Sequence, residues 1–269
     1  MAGTWSVDSS TLTSLREREA QRALAEGRLD DALIEAEELL DDDPSNQHGL
    51  AIAGLAALRM GDVVMALEAL NRFVELHTPS ATILHALAVA RFETVDYPGC
   101  LVAAEQATAK EPSLVAAWHY QGLALERMEK PDLARARFER ACGLDPDQFP
   151  VPEHDASIDW DALLREARLR LNDRIRDFLA DVPIAFAAFP AVADLLENYP
   201  PLSPFTDALY RGTPPTDGSD PWAERPTRIT LYTANLTRPS SASADLVIRI
   251  EEALAHEAMH WLGITKLPS

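Results

Sequence analysis

PSLVAAWHYQGLALERMEKPDLARARFERACGLDP, residues 112–146, decides the fold of the first half of this 269-residue chain. Proline closes the stretch at both ends, and Ala134, Phe138 and Ala141 fall at helical spacing inside it. At steps of 34 residues upstream of Ala134 stand Cys100, Ala66 and Ala32. The same step links Phe138 to Ala104, Leu70 and Ala36, and Ala141 to Ala107, Phe73 and Leu39. Gly122, Ala88, Gly54 and Ala20 keep it, and Pro44, Pro79, Pro112 and Pro146 follow it within one residue. Five registers at one period mark a repeat.

A repeat of this length is one helical hairpin. Small residues at two facing positions let its helices approach closely, and Leu70, Phe73 and Phe138 are expected to fill the seam to the next unit. Gly27-Arg28-Leu29-Asp30 and Gly61-Asp62 supply turns. No hairpin can bury its own apolar face, so four units stack into a short superhelix. Over about residues 12–146 the pattern resembles the tetratricopeptide repeat, with Trp118 and Gly122 best preserved in the fourth unit. That resemblance implies a concave face presented to a peptide or protein partner. His48, His77, His85 and His119 have no metal-ligand spacing between them and read as core or surface residues.

Composition narrows the partners. The formal net charge is −19, which repels nucleic acid phosphate and anionic lipid and favours either solubility alone or basic partners. Cys100 and Cys142 are too few for a disulfide framework and lie inside helical patterns, as expected of free thiols in a reducing cytoplasm. MAGTWSVDSS, residues 1–10, lacks a basic start followed by an apolar run, so no secretory signal is read. Val182–Leu196, the most apolar stretch, is short and interrupted by Pro183 and Pro190, and cannot span a bilayer.

The period ends at Asp147–Asp155, a polar segment with Pro150 and Pro152. The domains are therefore expected at 1–150, four repeats, and 151–269. A helix is read from Ile158 to Ala180, with Trp160, Leu163, Leu164, Ala167, Leu171, Ile175, Phe178 and Leu179 on one stripe. Short strands follow at Ile184–Phe189 and Asp207–Tyr210, with a short helix opened by Pro190 between them. Arg211–Arg225 reads as a long loop, and Thr227–Tyr232 alternates as a strand. A last helix is expected from Ala244 to Trp261, capped by Ser240, Ser241 or Ser243, with Asp245 in its first turn and Gly263 as its stop.

That helix carries His256-Glu257-Ala258-Met259-His260. Histidines four apart stand one turn apart on the same face, so both can ligate one metal ion. Glu257 is set aside from them, where its carboxylate can act as general base on water held by zinc. The reading is therefore Zn2+ as cofactor, His256 and His260 as metal ligands, and Glu257 as the catalytic residue. No separate cofactor-binding residue is read.

The segments LYRGTP (209–214), RITLYTANL (228–236) and HEAMHWLGI (256–264) resemble the small bacterial zincin-like metallopeptidases over about residues 160–264. The resemblance implies a compact α+β fold, a zinc site and peptidase activity, with Thr227–Tyr232 as the edge strand that aligns an extended substrate. The expected fold class is therefore multidomain, an all-α tetratricopeptide superhelix followed by a small α+β zincin-like domain. One position departs from the family pattern. An acidic third ligand is implied six residues after the second histidine, where this chain has Lys266; the family's usual His after that histidine is Trp261. Glu252 cannot substitute, because along a helix it stands about 12 Å from His260. Asp217, Asp220 and Glu224 in the long loop remain as candidates. The alternative reading is a non-catalytic adaptor with a degenerate zincin domain.

Overall fold

The computed structural model describes residues 9–152, 157–214, 220, 222–238 and 246–264. The 34-residue step becomes eight helices in four antiparallel hairpins. They are α1 (Ser9–Glu26) with α2 (Leu29–Asp42), α3 (Gln47–Met60) with α4 (Val63–Leu76), α5 (Ala81–Glu93) with α6 (Tyr97–Lys110), and α7 (Val115–Arg127) with α8 (Pro131–Leu144). Side-chain caps start several of them. Asn46, Asp62, Ser80 and Asp96 accept the N–H three residues on, at 2.8, 3.0, 3.3 and 2.9 Å. The turn inside each hairpin has its own register: Gly27 and Gly61 sit at φ of 78° and 83°, and Val95 and Glu129 occupy the same place at 67° and 58°.

All sixteen small and apolar positions of the four helical registers are buried. Within a hairpin they pair by size. Gly54 stands against Leu70 and Gly122 against Phe138. A Cβ at Gly54 would fall 2.7 Å from Leu70 Cγ, and one at Gly122 2.5 Å from Phe138 Cε1. Leu70 and Phe138 thus fill room inside their own hairpins, each over a glycine that makes it. Gly122→Ala is therefore expected to destabilise the protein by about 1–3 kcal/mol through overpacking, read as a lower denaturation midpoint. Phe138→Leu in the same chain should restore part of that loss, because both changes act on one contact. Strictly additive effects would show that the two residues do not meet.

The chain divides into one compact unit of 1–151 with 199–201 and another of 152–198 with 202–269. In the second, the helix expected over 158–180 is two helices, α9 (Trp160–Arg170) and α10 (Asp173–Phe178). Leu171 and Asn172 are extended, and Asn172 caps α10 by accepting the N–H of Arg174 at 3.0 Å. The apolar stripe survives the break: Ala167, Leu171, Ile175, Phe178 and Leu179 all enter the core.

Three strands follow, β1 (Ile184–Ala187), β2 (Ala208–Arg211) and β3 (Arg228–Tyr232), with the short helices α11 (Val192–Leu195) after β1 and α12 (Thr233–Leu236) after β3. α11 opens at Val192, two residues after Pro190, and α12 had no sequence signal. The sheet order is β1-β3-β2, with β1 parallel and β2 antiparallel to β3. The strand expected at the edge is thus the central one, its hydrogen-bonding groups taken from both sides, and β2 lies at an edge. The last helix, α13 (Leu246–Leu262), lays Val247, Ile250, Leu254, Ala258, Trp261 and Leu262 on Ile229, Leu231 and Ala208. Ser240, Ser241, Ser243 and Asp245 lie outside the described residues. No helix among the described residues is long and apolar enough to cross a membrane.

Candidate active site

Arg249 fixes the motif helix against the edge strand. Its Nη2 donates to both oxygens of Asp207 at 3.0 and 2.9 Å, and its Nη1 to the carbonyls of Leu236 and Arg238 at 2.5 and 2.9 Å. Asn235, buried beside it, donates to the carbonyls of Pro204 and Thr206 at 2.9 and 2.6 Å. A charged residue inside the apolar run Leu246–Ile250 was the sequence signal for this lock. Two turns later on the same helix the motif meets the same strand. Tyr210 N–H donates to Glu257 Oε2 at 2.8 Å.

The three motif side chains lie at one cleft of about 640 Å³, lined also by Asp194, Tyr210, Arg211 and Tyr232. His256 and His260, one helical turn apart on one face, are exposed, with ring centroids 6.2 Å apart and planes within 10° of parallel. Tyr210 packs its ring 5.6 Å from that of His260. Glu257, only 5% exposed, has its carboxyl pushed up to about 7 by burial, against which the Tyr210 N–H favours the ionised form. Its Oε1 has no hydrogen bond among the described residues. Burial, reinforced by Asp194, raises the Tyr232 phenol to about 12, so it stays neutral at ordinary pH. Arg211 pairs with Asp194 and approaches Glu197 at 4.0 Å on the rim.

Two exposed imidazoles on one face and a carboxylate beside them fit two protein ligands and the base of a zinc site. The described residues do not supply the third ligand: no group of three His, Cys, Asp or Glu side chains among them could hold a metal ion. Asp220 accepts the Trp222 N–H at 3.0 Å, and Glu224 gives its carbonyl to Trp261; neither lines the cleft. Asp217 and Lys266 lie outside the described residues. Sequence reading also missed the Tyr210 N–H, which is a backbone group and carries no residue signature.

Residues 179–266 match the family model of the zincin-like metallopeptidases, so the C-terminal part of the chain carries a zincin-like domain. The helical repeats are similar to two solved structures. One is the crystal structure of MamA, at 26% identity over 47% of this chain and 74% of that one, with a TM-score of 0.44. The other is the crystal structure of YrrB, a TPR protein with an unusual peptide-binding site, at 16% identity over 49% and 68%, with a TM-score of 0.46. No curated protein matches the chain.

Proposed function

We propose that this protein is a zinc-dependent metallopeptidase of the HExxH type, in two domains, 1–150 and 151–269, whose repeat domain binds a protein or peptide partner. The observation that carries the reading is the meeting of His256, Glu257 and His260 at one cleft, inside the segment that matches the zincin-like family. His256 and His260 hold the ion. When bound, zinc supplies Lewis-acid activation of water and of the scissile carbonyl. Glu257 is the general base: Oε2 is tied to the Tyr210 N–H, which leaves Oε1 to take the proton from the attacking water and pass it to the leaving amine. The net charge of −19 favours a basic peptide as partner of the repeats and disfavours nucleic acid and anionic membrane; the cytoplasm is the compartment that suits two free cysteines.

One observation favours a second reading. Lys266 stands where the family places an acidic ligand, which suits a zincin fold that serves a non-catalytic adaptor. Metal analysis separates the two. The purified parent is expected to carry zinc and His256→Ala to lose most of it. A parent that binds no zinc at neutral pH would leave the adaptor reading standing.

A further inference from the structure

We propose that Trp261 is a positioning residue that sets one wall of the cleft and, through it, the affinity for substrate; the substrate part rests on the peptidase reading above. The loop between β2 and β3 has a closed neck, where Thr227 donates its N–H and its Oγ1–H to Arg211 O at 2.8 and 3.0 Å. Beyond the neck its two arms are held very differently. The return arm is tethered to α10. Trp222 stands edge-on to Phe178 at 5.7 Å, Arg174 covers the Trp222 ring at 4.5 Å, and Arg225 Nε donates to Phe178 O at 3.0 Å.

The outgoing arm, Gly212-Thr213-Pro214, lines the cleft and has no hydrogen bond among the described residues; Gly212 and Thr213 are exposed. It rests on an indole. A Cβ at Gly212 would fall 3.1 Å from Cη2 and Cζ3 of Trp261, the far edge of the six-membered ring. The same side chain donates Nε1–H to Glu224 O at 3.2 Å and stands edge-on to Tyr210 at 5.3 Å. Trp261 is 3% exposed, so its N–H needs that partner. One residue after His260, a single ring therefore supports the arm that forms the wall, holds the arm that returns, and abuts the residue whose N–H fixes Glu257.

Phenylalanine keeps the ring beside Tyr210 but is too short to reach Gly212 and has no N–H. In the full chain, with fluorescein-labelled casein as probe, Trp261→Phe is expected to raise KM roughly tenfold with kcat within about twofold, as when binding alone is lost. Zinc content should be retained, and hydrogen exchange at the Thr227 N–H, which closes the neck, should quicken while the amides inside the sheet keep their protection. Trp261→Ala also frees Tyr210 and is expected to lower kcat as well. Unchanged exchange at Thr227 in both variants, or equal losses of kcat and KM effects in Trp261→Phe and Trp261→Ala, would overturn the proposal. If the parent does not cleave casein, the peptidase reading falls, and the exchange measurement decides the role of Trp261 alone.

Discussion

Glu257→Gln is expected to lower hydrolysis of unfolded protein by about 10²–10⁴-fold, the range that positioned general bases supply, while zinc content and melting temperature stay near those of the parent. The amide has the shape of the carboxylate, and its oxygen can still accept the Tyr210 N–H that now reaches Oε2 at 2.8 Å. What it cannot do is take a proton. The substitution thus separates two roles that the geometry joins, since a Glu257 kept only to satisfy the edge strand would be replaced by glutamine with little consequence. Folding should not suffer either, because a side chain 5% exposed carries less desolvation cost when neutral. A glutamine variant as active as the parent would end the proposed mechanism whatever its metal content.

The sequence was most legible where physics repeats itself. Each helical register of the array was visible because burial of one face recurs every 34 residues, and every position named from that recurrence is buried. The period could not say which of two facing residues yields to the other. That was decided by pairs such as Gly122 and Phe138, where the absence of a Cβ makes room for a ring. In the C-terminal part the apolar stripe over 160–179 was right, yet the backbone breaks at Leu171 and Asn172, because one extended pair can leave the stripe in place. Strand order was beyond a linear reading. β3 alternates most cleanly because it is central, with Ile229 and Leu231 fully buried, and an edge role was attached to it by analogy. The motif histidines needed only helical spacing. The features that aim the site, the Tyr210 N–H, the Arg249–Asp207 lock and the Trp261 indole, depend on contacts across 47, 42 and 37 residues of chain.

Lys266→Asp is expected to raise zinc affinity by at least about tenfold, the step from two protein ligands toward the three of a catalytic site. The argument begins at the end of α13. Gly263, at φ 64°, closes the helix, its N–H donating to His260 O and that of Ile264 to Met259 O at 3.2 and 3.0 Å. The chain therefore turns off the helix within one turn of the second histidine, and position 266 follows two residues after Ile264. A lysine amine binds zinc only when neutral, and with a reference pKa of about 10.4 that costs about 4.6 kcal/mol at pH 7. The ammonium form repels the ion. An aspartate is ionised at the same pH and is a ligand of the kind that zinc accepts beside two histidines. Titration with a chelator of known affinity reads the change directly, and under the peptidase reading the activity at limiting zinc should rise with it. An unchanged affinity would mean that a third donor already completes the site or that the tail does not reach the metal. Asp217→Ala, Asp220→Ala and Glu224→Ala then separate those cases, since only loss of a true ligand should release the metal. Zinc absent from both the parent and the Lys266→Asp protein would leave His256 and His260 as two surface histidines on a helix, and the peptidase reading without its first requirement.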